Sequence, residues 1–157
     1  MKNKELKTPF IEVGFEELDP LRQQLVTKAR QATYRSYAPY SKFRVGAAIA
    51  LDNGEIVVGS NQENVAYPSG TCAERTAAFY AHSTYPEARF RIIAVTARGT
   101  DELFTEEPTP PCGGCRQALV EFETLAKENV EVILAGREKI HILPSIKSLL
   151  PFSFTDF

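Results

Sequence analysis

The sequence predicts an α/β fold with a mixed, mostly parallel sheet of about five strands. Three observations indicate it: a helical pattern over residues 16–37, a hairpin pattern over residues 45–60, and alternating helix and strand patterns from residue 72 to residue 143. Chains that alternate strands with helices form parallel sheets with right-handed crossovers. The hairpin adds an antiparallel pair, which makes the predicted sheet a mixed one.

The first third of the chain supplies an arm, a helix and a hairpin. Residues 1–14 are charged and lack a clear period, so we expect a flexible arm ahead of a single domain over residues 15–157. Apolar side chains recur at helical spacing over residues 16–37, which predicts an amphipathic helix that covers the sheet. Asp52-Asn53-Gly54 then separates two apolar strand patterns, as a hairpin turn does.

The remainder of the chain alternates between helices and strands. Helices are predicted from about residue 72 past residue 81 and from about residue 112 to residue 127, each after a loop with proline or glycine. Sites in open α/β sheets form at the carboxyl ends of strands, so we expect the two helix starts to converge at one sheet edge. The five predicted strands are 45–51, 55–60, 89–97, 130–135 and 140–143.

Composition limits the class of protein. The chain has 157 residues, 43% hydrophobic and 24% charged, as expected of one globular domain. Its net charge of −2 gives no support to nucleic-acid binding. No stretch resembles a signal peptide or a membrane span, so we expect no membrane partner. Three cysteines, an odd number, favour a reducing compartment over a disulfide framework, and we expect a cytoplasmic protein.

All three cysteines lie at the two predicted helix starts, in Thr71-Cys72-Ala73-Glu74-Arg75 and Pro111-Cys112-Gly113-Gly114-Cys115-Arg116-Gln117. Three thiolates suit a tetrahedral zinc ion and leave its fourth position open for water. A carboxylate nearby completes an arrangement typical of metal-assisted hydrolysis. The sequence therefore predicts one catalytic zinc ion per chain, held by Cys72, Cys112 and Cys115.

Glu74 is the candidate proton shuttle, which would take a proton from water and deliver it to a substrate ring and then to a departing amine. Arg75 and Arg116 each adjoin a cysteine and are candidates for hydrogen bonds to the ligand sulfurs. Each of these three residues also has a purely structural alternative. A glutamate in a first helical turn often only complements the helix dipole, and both arginines could form surface salt bridges.

These motifs together resemble the small, homotetrameric, zinc-dependent cytidine deaminases. The resemblance extends to Tyr40-Ser41-Lys42-Phe43, Val45-Gly46-Ala47-Ala48, Asn61-x-Glu63-Asn64, Tyr67-Pro68 and Leu149-Leu150-Pro151-x-x-Phe154. It implies a three-layer α/β/α domain and the hydrolysis of cytidine and deoxycytidine to uridine, deoxyuridine and ammonia in pyrimidine salvage. The arm and the long 99–111 loop depart from the family's pattern.

The resemblance also implies where a nucleoside binds. Asn61 and Glu63 would hydrogen-bond the ribose hydroxyls, which suits an amide and a carboxylate two residues apart. Phe43 would stack on the pyrimidine, and the backbone of Ala73 would contact the base. Phe43 in the core, and Asn61 with Glu63 in a solvated loop, are the alternatives.

The family's active sites are completed by neighbouring subunits. The resemblance makes Tyr67 and Phe154 the candidates for this role. The apolar tail and the exposed loop that carry them also suit a homotetramer interface.

Three rival functions stay open at this point. The first is a deaminase of another cytosine-type substrate, such as blasticidin or a nucleotide; a phosphate would need basic groups close to the sugar site, and Glu63 would repel it. A noncatalytic zinc-binding module would want a fourth ligand, and His82 and His141 are not at ligand-like spacing. A thiol-disulfide oxidoreductase built on Cys112 and Cys115 would leave the other motif unexplained.

Overall fold

A computed structural model, in which residues 1–155 are described, shows a six-stranded sheet with helices on both faces. The last two residues of the predicted domain, 156 and 157, lie outside the described residues. The helices are α1 Pro20–Ala32, α2 Ala73–Thr84 and α3 Gly113–Ala126. The strands are β1 Ile11–Val13, β2 Arg44–Leu51, β3 Ile56–Ser60, β4 Phe90–Arg98, β5 Glu131–Ala135 and β6 Ile140–Leu143.

The sheet has the order β1-β6-β5-β4-β2-β3, which confirms the predicted mixed α/β sheet but differs from the prediction in two respects. It has six strands rather than about five, because residues 11–13 of the predicted arm form β1. Within residues 1–155, only β4 and β5 pair in parallel, and the other pairs of neighbouring strands are antiparallel, since β2 lies between β3 and β4. Helices α2 and α3 still connect strands that run in one direction.

The sheet separates two apolar layers, as a three-layer domain requires. On one face Leu25 and Ala29 of α1 pack on Ala48 and Ala94. On the other face α2 and α3 cover the alternate side chains of the same strands, such as Val95. Because successive side chains of a strand point to opposite faces of the sheet, alternate residues of each strand pack against the helices of one layer or of the other.

Gly59 explains why α2 can begin directly beside β3. A Cβ atom at this position would lie 2.5 Å from both the carbonyl oxygen of Ala73 and the nitrogen of Ala77. Only glycine allows the two backbones to approach so closely. The close contact fixes the first turn of α2, which follows Cys72, against the end of the sheet.

Helix α1 is shorter than the predicted 16–37. Asp19 caps its first turn by accepting a hydrogen bond from the backbone of Arg22 at 3.0 Å, and Pro20 occupies the first helical position. The helix ends at Ala32, and a 3₁₀ turn of Thr33–Arg35 follows it. Asp19 and Pro20 are therefore the local sequence signals that place the start of α1 at residue 20 rather than at residue 16.

Strand β1 pairs antiparallel with β6. The ring of Phe10 lies 4.8 Å from that of His141, and Glu12 contacts Nε2 of His141 at 2.8 Å. Part of the predicted arm therefore forms one edge of the sheet. Within residues 1–155, no helix has the length and apolar character needed to cross a bilayer.

Candidate metal and active site

The starts of α2 and α3 meet, and they bring the three cysteines together. Cys72 and Cys112 are the residues that precede the first turns of α2 and α3, and Cys115 lies in the first turn of α3. Their three Sγ atoms all lie within 4.8 Å of one another, and those of Cys72 and Cys112 are 4.0 Å apart. Helices α2 and α3 follow β3 and β4, which run in the same direction on either side of β2, so both helices begin at one edge of the sheet.

The donor set fits zinc. Zinc–sulfur bonds of about 2.3 Å in a tetrahedron place sulfur atoms about 3.8 Å apart, which is close to the separations in this cluster. Among the residues that the structure describes, the group holds three potential ligands and no fourth. Three ligands with an open position are typical of catalytic rather than structural zinc sites.

The three sulfurs differ in environment. Cys115 is buried, Cys72 is half-buried and Cys112 is exposed. A hydrogen bond from Cys115, together with the guanidinium of Arg75, lowers the pKa of Cys72 to about 5. Because Cys115 is the donor of that hydrogen bond and is itself buried, its own pKa is raised. A divalent cation shared by the sulfurs would favour the thiolate at all three positions.

Glu74 lies in the first turn of α2 beside this cluster, and it is only 4% exposed. Burial raises the pKa of its carboxyl group, and the negative charge of Cys72 raises it further. Arg75 opposes the shift without cancelling it. A carboxyl group with a raised pKa holds a proton more readily than a solvated one, which suits a group that accepts a proton and then passes it on.

The two candidate arginines have different contacts. Nη2 of Arg75 lies 3.7 Å from Sγ of Cys72, as expected for a donor to a ligand sulfur. Arg116 instead donates to the carbonyl oxygens of Pro111 and Leu149, at 2.8 Å each, which differs from the expected contact with sulfur. Successive helical residues point about 100° apart, so Arg116 is directed away from the cluster that Cys115 joins.

A cavity of about 330 Å³ adjoins the cluster, and Cys72 is part of its wall. Its size lies at the lower end of the range for small-molecule sites. Polar side chains from the loop after β3 and from the segment before β2 supply most of the remaining lining. Among these lining residues are Tyr40, Ser41, Asn61, Glu63 and Tyr67.

Asn61 and Glu63 line this cavity, and both also form hydrogen bonds with the start of β2 or with the segment before it. The amide of Asn61 accepts from the backbone of Val45 at 2.8 Å and donates to the carbonyl of Phe43 at 2.9 Å. Glu63 accepts from the backbone nitrogens of Tyr40 and Ser41. A hydrogen bond from the Ser41 hydroxyl lowers the pKa of Glu63, so the cavity wall carries a negative charge at neutral pH.

Phe43 and Ala73 flank the cavity without being part of its lining. Phe43 is half-buried, and its backbone nitrogen donates to the hydroxyl of Ser41 at 3.0 Å. Ala73 is fully buried and is the first residue of α2. The base contacts expected of both residues stay predictions.

Tyr67 and Phe154, the candidates for a neighbour's site, are both exposed. Tyr67 lines the cavity of its own chain and meets the ring of Tyr40 edge-on at 6.1 Å. Gln117 holds the backbone of Phe154 through two hydrogen bonds, of 2.8 and 3.1 Å. The sequence left Gln117 without a role, although it belongs to the same motif as Cys115.

The fold and the cluster define a class of protein: an α/β domain with a three-cysteine zinc site at the starts of two helices. The family model described as "Cytidine and deoxycytidylate deaminase zinc-binding region" matches residues 20–130, and the chain belongs to this family. The predictions of zinc as the cofactor and of an enzyme of the deaminase class are thereby confirmed.

Relatives and solved structures agree with this assignment. A cytidine deaminase from Halalkalibacterium halodurans is 38% identical over 134 residues, 85% of this chain and 94% of that protein. One from Sporosarcina psychrophila is 44% identical over 100 residues, 64% of this chain and 68% of that protein. A crystal structure of cytidine deaminase from Burkholderia pseudomallei matches with a TM-score of 0.68 at 38% identity, and covers 83% of this chain and 97% of that one.

Proposed function

We propose that the protein is a hydrolase that deaminates cytidine and deoxycytidine to uridine and deoxyuridine with release of ammonia. The observation that carries the proposal is a buried carboxyl group, Glu74, beside three clustered cysteines, one of which, Cys72, lines a cavity. Cys72, Cys112 and Cys115 would hold the zinc ion. Zinc in such a site supplies the Lewis acidity that makes water a nucleophile at neutral pH.

Glu74 moves the protons in the proposed reaction. Its carboxylate accepts a proton from the attacking water and delivers it to the ring nitrogen of the pyrimidine. The same carboxylate then takes the proton of the newly attached hydroxyl group and passes it to the amino group, so that the C–N bond breaks, ammonia leaves and the carbonyl group of uridine forms. The raised pKa of Glu74 supports this role, because the carboxyl group must hold a proton between the two transfers.

Arg75 moderates the charge of the metal site. Three thiolates on a dication leave one net negative charge, which weakens the Lewis acidity of the ion. The guanidinium of Arg75 next to Cys72 withdraws part of the charge from that sulfur. The helix starts at Cys72 and Cys112 add partial positive charge.

The substrate is a free nucleoside in this proposal. Asn61 and Glu63 would bind the ribose hydroxyls, Phe43 would stack on the ring, and the backbone of Ala73 would contact the base. The ionised carboxylate of Glu63 at the cavity wall supports a neutral sugar over a sugar phosphate, because it would repel a phosphate group.

The active enzyme is a homotetramer in this proposal, and Tyr67 and Phe154 contribute to the site of a neighbouring subunit. The exposure of both rings, 77% for Tyr67 and 66% for Phe154, supports an interface at these positions. We also place the enzyme in pyrimidine salvage in the cytoplasm, where the reducing conditions keep free cysteines available to zinc.

The test compares substrates at equal concentration by ultraviolet absorbance. Cytidine and deoxycytidine should be deaminated, and cytidine monophosphate and a cytosine-containing oligonucleotide should react more slowly. Faster reaction of the phosphorylated substrates would identify a nucleotide or nucleic-acid deaminase, and exclusive reaction of blasticidin would identify a deaminase of that antibiotic. A protein that binds zinc and reacts with none of them would be a noncatalytic zinc module.

A further inference from the structure

Glu102 lies in the long loop between β4 and Cys112, and it bridges two arginines on neighbouring strands. Arg44 begins β2 and Arg98 ends β4, and the antiparallel register pairs the two residues directly. Paired residues of this kind have Cβ atoms about 4.5–5.5 Å apart, and like charges at such positions repel each other. An anion between the two side chains would remove this repulsion.

The carboxylate of Glu102 meets both guanidinium groups. Its Oε1 lies 2.6 Å from Arg44, and its Oε2 lies 2.7 Å from Arg98. The side chain of Arg98 is only 6% exposed, donates to the hydroxyl of Thr33 at 2.9 Å and lies 3.9 Å from the ring centre of Tyr34. Arg98 is therefore a fixed anchor, and through Glu102 it holds the more exposed Arg44.

The backbone of the loop is shaped for this contact. Glu102 has a φ of +64°, a conformation that is uncommon for a residue with a Cβ atom. Its backbone nitrogen donates to the carbonyl of Gly99 at 3.1 Å, which closes a tight turn. Such backbone conformations persist where surrounding contacts stabilise them, and the two arginine contacts stabilise this one.

Arg44 carries the contact to the segment in front of β2. It directly follows Phe43, and its Nη1 also donates to the carbonyl of Lys42 at 3.2 Å. Lys42 itself has a φ of +59°. The carbonyl of Phe43 is held in turn by the amide of Asn61, which lines the cavity. The Lys42–Arg44 segment is thus held by Asn61 directly and by Glu102 through Arg44.

We propose that Glu102 is a positioning residue that keeps Phe43 in place for the pyrimidine ring. The inference rests on the proposed function, in which Phe43 stacks on the substrate. Glu102 does not touch the substrate in this arrangement. Without its charge, Arg44 and Arg98 repel each other and the segment that carries Phe43 loosens, whereas Glu74 and the three cysteines stay in place.

The test compares Glu102→Gln with Glu106→Gln. Glu106 lies in the same loop, is 84% exposed in its side chain and forms an ion pair with Arg137 at 4.0 Å. Glu102→Gln should raise KM for cytidine about two- to tenfold, the range of one aromatic contact, and leave kcat within about twofold. Glu106→Gln should have the kinetics of the unmodified protein.

A double-mutant cycle establishes whether Glu102 acts through Arg44. Arg44→Leu should raise KM as Glu102→Gln does, and combining the two should add nothing further. Additive effects of the two substitutions would overturn the inference, because Glu102 would then act by another route. An unchanged KM in Phe43→Ala would overturn it as well, because no stacking contact would be left to position.

Amide hydrogen exchange separates this inference from the proposed function, because it needs no turnover. Glu102→Gln should accelerate exchange in residues 42–45, and Glu106→Gln should not. If the unmodified protein did not deaminate cytidine, the proposed function would fail and the exchange rates would still decide whether Glu102 orders the segment. Unchanged exchange and unchanged KM in Glu102→Gln would refute the positioning role alone.

Discussion

Replacement of Glu123 by alanine should destabilise the protein by about 3–5 kcal/mol, because a buried carboxylate would be lost from four donors. Glu123 is 3% exposed and lies on α3. It accepts hydrogen bonds from the backbone nitrogens of Val130 at 2.9 Å, Ile146 at 2.8 Å and Lys147 at 3.3 Å, and from the hydroxyl of Ser145 at 2.8 Å.

The magnitude follows from the donors that would be left unpaired. The nitrogen of Lys147 keeps the Ser145 hydroxyl as a second acceptor at 3.1 Å. The nitrogens of Val130 and Ile146 and the hydroxyl of Ser145 would lose their acceptor in a buried site. Each unsatisfied group costs about 1–3 kcal/mol, and partial relaxation of the surrounding chain keeps the total at about 3–5 kcal/mol.

Thermal unfolding at fixed protein and zinc concentrations measures this effect, because bound metal and assembly also contribute to the melting temperature. For a chain of this size the loss corresponds to a melting temperature lower by roughly 6–20 °C. Glu121→Ala is the matched control, because Glu121 is exposed on the same helix, and its effect should stay within about 0.5 kcal/mol. Equal melting temperatures for the two variants would refute the reasoning.

Two further predictions concern the site. Arg75→Ala should weaken zinc binding about 10- to 100-fold, and Arg116→Ala should weaken it less. The reason is that Arg75 donates to Cys72, whereas Arg116 donates to backbone carbonyls. Competition with a chelator measures zinc affinity in both variants, and equal losses would contradict the assignment. Phe154→Ala should raise KM for cytidine, and mixing it with inactive Glu74→Gln should restore activity, because hybrid sites then combine Glu74 of one subunit with Phe154 of its neighbour. Absence of recovery in mixed oligomers would argue against shared sites.

The cysteine site could be predicted from the sequence because its signals are local. Each motif places its cysteines at a helix start, and the identity of the side chains limits the metal that they suit. The hairpin turn at Asn53-Gly54 was equally local, and β2 and β3 pair around it as predicted. The convergence of the two cysteine motifs required only that both helices follow strands that run in the same direction.

The parts that differed from prediction depend on contacts between distant residues. Strand β1 has three residues with mostly exposed side chains, and its partner in β6 lies about 130 residues later, as the pair Glu12 and His141 illustrates. The role of Arg116 depends on the carbonyl of Leu149, which lies 33 residues later in the chain. Neither contact leaves a periodic signal in the sequence.

The bridge of Glu102 could not be predicted for a related reason. It requires the register that pairs Arg44 with Arg98, and that register is set by the packing of β2 between β3 and β4. A glutamate in a loop of charged residues gives no sign of such a partner in the sequence alone. The strand order decides which of the loop's acidic residues meets the two arginines.

Zinc content and cytidine turnover, measured on the same preparations of the unmodified protein and of Glu74→Gln, test the central claim most directly. We predict about one zinc ion per chain in both proteins, because the three sulfurs do not depend on Glu74 as a ligand. Turnover should fall by at least about 10²-fold in Glu74→Gln, because proton transfer by this group contributes about 10²–10⁴-fold. A Glu74→Gln protein that keeps its zinc and more than about a tenth of the activity would contradict the account.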